Sequence, residues 1–186
     1  MPGVGDRDRN LRRAKAPEVA ASGCHGGMVG ERHMESPVSE DPLDLDRQVC
    51  FPLYAASNLL GRLYRPLLAE LGLTYPQYLV LLVLWRETPQ SVGSLGDRLH
   101  LDSGTLTPLL KRMELAGLIS RTRDVTDERR VLIALTSRGR DLREPTRAVP
   151  AALSAQLAIA DADVAELRDR VREVVAVLQA TLSERS

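Results

Sequence analysis

The chain has 186 residues and carries 25 Lys and Arg against 25 Asp and Glu, a formal net charge of zero. That length suits one domain with a full hydrophobic core. A zero balance argues against a nucleic-acid coat, whose affinity needs bulk basicity, but not against a regulator that gathers Arg and Lys on one surface. No apolar run approaches the ~18 residues of a membrane span, and the N-terminus lacks the apolar core of a signal peptide, so the expectation is a cytoplasmic protein.

Residues 1–43 hold Gly, Pro, Ser and mixed charge with almost no apolar periodicity, which predicts a disordered tail. Met34 lies shortly before the ordered region, so 1–33 is either a mis-assigned start or an expendable extension. Leu53, Ala56, Leu60, Leu63, Leu67 and Leu71 recur at helical spacing, and Gly72 supplies a stop. Thr74-Tyr75-Pro76-Gln77 reads as a capping box, with Thr74 as N-cap and Gln77 reaching back. The helix it opens, 75–85, is apolar nearly all round and is expected to be the buried central helix.

A short amphipathic helix at 92–99 follows, then a tight break at 100–102. A second helix opens at Ser103 and stops at Gly117. Within it Leu106, Leu109, Leu110 and Met113 face inward at spacings of three and four. Ser103, Gly104, Thr105, Thr107, Pro108, Lys111 and Arg112 are left for an outer partner. Two β-rich runs come next, 118–123 and 131–135, joined by a charged turn at 124–130. Ser137 is expected to cap a further helix, disturbed by Pro145 and Pro150. Val164, Leu167, Val171, Val174, Leu178 and Leu182 then mark an apolar stripe on a long C-terminal helix.

The order α-α-α-α-β-β-α-α predicts a mainly α fold with a small β-hairpin wing, a winged helix-turn-helix. Residues 74–139 would be the DNA-binding core of a domain spanning 44–186, and 44–72 and 140–186 its dimerisation helices. A monomer of this size leaves the outer helices little to cover, so they are expected to pack against a two-fold mate; the alternative is that the C-terminal helix folds back on its own core. A helix for the major groove beside a basic hairpin implies duplex DNA as partner. Small hydroxyl residues at a helix N-terminus approach base edges and phosphates closely. The wing candidates are Arg121, Arg123, Arg129 and Arg130; Asp124 and Asp127 fit a DNA surface only as braces for them, with Asp127 placed to orient Arg129 across the turn. An Arg at a hairpin tip suits the narrow minor groove. By itself the charge run also fits a solvated hairpin with no ligand.

Two motifs make a resemblance specific. Asp127-Glu128-Arg129 and Leu135-Thr136-Ser137-Arg138-Gly139 resemble the wing pattern of the MarR family of dimeric winged-helix regulators. The run from Leu101 to Arg112 resembles one branch of it, the OhrR-type organic hydroperoxide repressors.

All six aromatic residues lie between Phe51 and Trp85, and Tyr54, Tyr64 and Tyr75 follow Cys50 at +4, +14 and +25. Tyr54 lies one turn from Cys50 on its own face. A +14 neighbour lies about 20 Å away along a helix, so any thiol–tyrosine cluster would be shared between antiparallel subunits. Pro52 fits only a first helical turn, which puts Cys50 at a helix N-terminus, where the dipole favours thiolate. A small buried apolar Cys beside core tyrosines reads equally well from spacing alone.

The runs 45–57 and 73–85 also look very like OhrR proteins. That resemblance implies a peroxidatic Cys50 with Tyr54, Tyr64 and Tyr75 as its partners. Organic hydroperoxide would be the signal and a pseudopalindromic operator the DNA site. Pro52 and Asn58 depart from the family pattern. No Cys follows Cys50, so the chain resembles the one-Cys kind, in which a low-molecular-weight thiol completes the switch. Cys24 could resolve only by folding the tail onto the site. The two Cys form no disulfide framework. The three His are not spaced with Cys50 or acids as a metal site requires, so neither metal nor cofactor is expected. Two other functions compete: a MarR-type regulator of a noncovalent phenolic or lipid ligand, and a thiol peroxidase. The latter would need efficient resolution of its oxidised Cys.

Overall fold

In the computed structural model, residues 41–157 and 159–184 are described. The predicted tail, Cys24 and the alternative start at Met34 lie outside them, apart from residues 41–43. Helix α1 runs Cys50–Ala69, three residues earlier than the apolar periodicity suggests. Pro52 falls in its first turn, where backbone N–H groups have no intrahelical acceptor and nothing is lost. The helix closes where the Leu73 N–H reaches the Leu68 carbonyl at 3.0 Å. Gly72 takes a left-handed φ of +67° to allow it.

Helix α2, Tyr75–Arg86, begins at the capping box, with Gln77 Oε1 accepting from the Thr74 N–H at 2.9 Å. Tyr78, Val80, Leu81 and Leu84 are buried. Helix α2 thus joins the core as expected, although Leu82 stays 43% exposed.

Strand β1, Gln90–Ser91, was not anticipated; it is only two residues long and pairs with the later β3. Helix α3 (Val92–Leu99) and helix α4 (Ser103–Leu115) are the helix-turn-helix pair. His100 turns the chain with φ +54°, and the Leu101 N–H bonds back to the Gly96 carbonyl at 3.0 Å. Gly96 is required there: a Cβ would stand 2.9 Å from the Leu101 carbonyl oxygen. Strands β2 (Ile119–Arg123) and β3 (Val131–Leu135) form the hairpin, and the sheet order is β1-β3-β2, all antiparallel. Leu95, Leu106, Leu110, Met113, Ile119 and Ile133 from these elements join α2 in one core.

The predicted helix after residue 137 is broken into α5 (Ser137–Asp141), a 3-10 turn at Pro145–Ala148 and α6 (Val149–Leu157). Thr136, not Ser137, is the cap of α5: its extended backbone lets the hydroxyl accept from the Gly139 N–H at 3.1 Å. Helix α7, Asp161–Ser183, buries no described side chain, and Leu178 is 55% exposed. From Leu167 to Leu182 its apolar stripe is left exposed among the described residues, and only Val164 is partly covered. Among the described residues no single helix is long and apolar enough to cross a membrane.

Candidate nucleic-acid interface and thiol–tyrosine site

Helix α4, the second helix of the pair, is held against the core on one side. Leu106, Leu109, Leu110 and Met113 are buried in the core, which fixes the rotation of α4. Ser103, Gly104, Thr105, Pro108, Lys111 and Arg112 are then exposed, and Thr107 is half-buried. Sequence reasoning missed one residue at this surface, Asp102, although an acidic residue before Ser-Gly-Thr is a readable N-cap signal. Asp102 Oδ1 accepts from the Thr105 N–H at 2.8 Å, and Oδ2 from the Thr105 hydroxyl at 2.9 Å.

These bonds hold the Asp102 carboxyl below the usual carboxylate range, the backbone N–H of Thr105 first. A depressed folded pKa adds stability that is present above the ordinary carboxylate pKa and lost as pH falls through the folded one. Asp102→Asn is therefore expected to keep the cap and flatten the acid side of a Tm–pH curve. Asp102→Ala should lower Tm already at pH 7. Equal melts for both variants would remove Asp102 as the cap.

The wing shows a division of labour that the sequence concealed. Arg121, read as a DNA contact, shares the β2 face of buried Ile119 and is turned toward α4. Its guanidinium lies 3.6 Å from Glu114 with its side chain only 22% exposed, and its Nε is buried without a hydrogen-bond partner. Arg121 ties the hairpin to the recognition helix. Arg123 and Arg129 are exposed and form no ion pair among the described residues. Arg130 lies 3.8 Å from Asp124, so the brace comes from Asp124. Asp127 shapes the backbone: its Oδ1 accepts from the Arg129 N–H at 3.1 Å, and its carbonyl from the Arg130 N–H at 2.9 Å. Asp124 likewise accepts from the Thr126 N–H and hydroxyl, which keeps its carboxyl below the usual range.

Cys50 is exposed at the start of α1, and its thiol has no hydrogen-bond partner among the described residues. Tyr54 is 67% exposed beside it. Tyr64 and Tyr75 are brought together elsewhere, stacked with ring centroids 4.5 Å apart. Tyr78 lies 5.9 Å from Tyr64 and meets Trp85 edge-on at 6.4 Å, so the aromatic group is larger than the predicted trio and omits Tyr54. The signal for Tyr78 was its i+3 spacing from Tyr75, which also fits plain core packing. Burial, then the neighbouring Tyr75 and Tyr78, push Tyr64 up to about 12. Burial also raises Tyr75 and Tyr78.

At neutral pH these phenols are therefore protonated and available as donors. A raised folded pKa adds stability that is present below the ordinary phenol value of ~10 and lost as pH rises from there to the folded one. Tyr64→Phe is expected to remove a late component from an alkaline tyrosinate absorbance titration. An unchanged curve would mean that Tyr64 is not in this stack.

A buried recognition-helix pair, a basic hairpin anchored to it and a third antiparallel strand define a winged helix-turn-helix transcriptional regulator. Residues 62–145 match the family model of the SarA/Rot transcriptional regulators. The regulator TtmR of Methylorubrum extorquens is 53% identical over 127 residues, which are 68% of this chain and 65%, just under two thirds, of that protein. The organic hydroperoxide resistance transcriptional regulator of Bacillus subtilis is 52% identical over 110 residues, 59% of this chain and 75% of that one. The structure of reduced AbfR bound to DNA superposes with a TM-score of 0.59 at 38% identity, covering 72% of this chain and 94% of AbfR. The chain belongs to this family of MarR-like winged helix-turn-helix regulators.

Proposed function

We propose that the chain is a homodimeric repressor that senses organic hydroperoxide through Cys50 and then leaves its operator. The observation that carries this reading is a separation. Cys50 opens α1 exposed and unpartnered, and the stacked Tyr64–Tyr75 pair lies near the far end of that helix. Fourteen residues of helix rise put about 20 Å between Cys50 and Tyr64 of one chain. An antiparallel α1 pair centred on Ser57 brings each Cys50 to the other copy's Tyr64. The uncovered stripes of α1 and α7 supply the apolar surface for such a pairing. The similarity to the Bacillus subtilis regulator, whose name specifies organic hydroperoxide resistance, points to the same signal.

In this reading the helix dipole and the phenol donors favour the Cys50 thiolate. The thiolate attacks the outer peroxide oxygen, the O–O bond breaks, and the peroxide leaves as its alcohol after taking up a proton. Sulfenic acid adds a single oxygen, a small change at a packed interface. A low-molecular-weight thiol then converts it to a mixed disulfide too bulky for the tyrosine pair. The helices carrying the tyrosines shift, and the two recognition helices lose their spacing of about 10 bp on a pseudopalindromic operator.

The test is a gel shift on the gene's own upstream DNA with cumene hydroperoxide, with and without a small thiol, followed by intact mass spectrometry. Wild type should release slowly with peroxide alone and fast with peroxide plus thiol. Excess reductant should reverse the release. Cys50→Ser should stay bound, and Cys24→Ser should match wild type. Release without an adduct on Cys50, or with a Cys24–Cys50 disulfide, would overturn the mechanism.

A further inference from the structure

A groove of about 570 Å³ runs between α1 and the start of α2, walled by Ser57, Gly61, Arg62, Arg65 and Tyr75. Its volume suits a small molecule. No Asp or Glu lines it. Arg62 and Arg65 are exposed and form no ion pair among the described residues. Two guanidinium groups on a groove without a carboxylate favour an anion, and their planar forks match a carboxylate in particular. A Cβ built at Gly61 meets nothing within 4 Å, so the middle of the groove is open.

The groove adjoins the proposed chemistry. Tyr75 forms its wall and also stacks on Tyr64. In the antiparallel pairing centred on Ser57 the groove opens at the subunit seam, next to the other copy's Cys50. Ser57, Gly61 and Arg65 lie within about 60° of the Cys50 position around α1, by 100° per residue. Ser57 and Asn58 add polar capacity to a lining that Ala69, Leu73, Tyr75 and Pro76 make largely apolar, which suits a small thiol charged at one end.

We infer that this groove seats the carboxylate of the small thiol that resolves oxidised Cys50, so that the protein selects carboxylate-bearing thiols over neutral ones. The inference rests on the thiol–tyrosine reading above. In the resolving step the thiol sulfur attacks the Cys50 sulfenic sulfur. The S–S bond forms, the S–O bond breaks, and the departing hydroxide takes the thiol proton to leave as water. Arg62 and Arg65 do not touch the reacting sulfurs; they raise the local concentration of the anionic thiol and orient it.

The experiment uses the full chain, oxidised with one equivalent of cumene hydroperoxide. Cys50 sulfenic acid is first verified by dimedone labelling. Mixed-disulfide formation is then timed with 3-mercaptopropionate and with 2-mercaptoethanol at equal thiolate concentration. Wild type should favour the carboxylate thiol about tenfold, at the low end of what electrostatic focusing supplies, and added salt should erode that preference. Arg62→Ala/Arg65→Ala should bring the ratio near one. Arg62→Lys/Arg65→Lys should keep most of it, which guards against mere misfolding. Equal wild-type rates, or a ratio unchanged in the alanine variant, would overturn the inference. Dimer dissociation by the alanine variant in light scattering would also overturn it, by making Arg62 and Arg65 themselves subunit contacts. Absence of dimedone labelling would instead sink the peroxide reading on which it stands.

Discussion

Replacing Gly139 with Ala is expected to cost about 3 kcal/mol, the upper end of ordinary overpacking, and to lower Tm by about 10 °C at this chain length. The Gly139 Cβ would be driven into the Leu118 carbonyl, 3.1 Å from its carbon, with Leu135 Cδ2 at 3.2 Å. The obstacle is mostly backbone, and it is fixed from several directions. The Thr136 hydroxyl donates to the carbonyl oxygens of Gly117 and Leu118 at 2.7 and 3.1 Å while accepting from the Gly139 N–H. The Trp85 indole N–H donates to the Gly139 carbonyl at 2.8 Å, tying α2 to the same point. The hairpin leaves α4 and α5 leaves the hairpin within this junction, so the variant should loosen the wing as well as the core. Thermal melts by circular dichroism check the first effect. A Tm within about 2 °C of wild type, under 1 kcal/mol by the same scaling, would mean that the junction relaxes freely.

Arg129→Ala is expected to weaken operator binding on the order of 100-fold. A hydrogen bond to a charged group contributes about 1.5 kcal/mol. The proposed two-fold dimer carries the change twice, and about 3 kcal/mol corresponds to roughly two decades in Kd. The loss should be largest at A/T-rich flanks, where the minor groove is narrow, and the salt dependence should become shallower. Arg121→Ala makes the contrast. Its guanidinium faces Glu114 and one nitrogen is buried, so its loss should leave the salt slope unchanged. Any fall in affinity should then be reproduced by Glu114→Ala. Fluorescence anisotropy across a salt series separates the two. If Arg121→Ala flattens the slope as Arg129→Ala does, Arg121 contacts DNA and is not the tie between hairpin and helix.

Period and punctuation decided most of the architecture. The capping box at Thr74–Gln77, Gly72 in its left-handed turn, and the inward set Leu106, Leu109, Leu110 and Met113 are local effects. Each follows from hydrogen-bond partners or spacing within a few residues, and so each is legible along the chain. The four helices before the hairpin and its two strands follow from the same rules. Strand β1 was not legible, because two residues carry no period; it exists only because β3 offers Gln90 and Ser91 an edge. The choice of Thr136 over Ser137 as cap also lay beyond sequence, since both are good cap residues and only the path of the chain beside Leu118 decides between them.

The functional surfaces divide in the same way. Sequence alone determined that hydroxyl and basic residues line the outer side of α4 and that arginines crowd the hairpin. It could not decide which arginines are free. Ion pairing between Arg121 and Glu114, seven residues back on another element, depends on how the hairpin packs against the helix. Sequence likewise determined that Cys50 begins a helix and that tyrosines follow it. Only the tertiary structure gathered Tyr64, Tyr75, Tyr78 and Trp85 into one aromatic cluster and left Tyr54 outside. The physical reason is range: caps and amphipathic faces are set by neighbours within a turn or two, whereas a side chain's partner across the fold is set by how whole helices and strands pack.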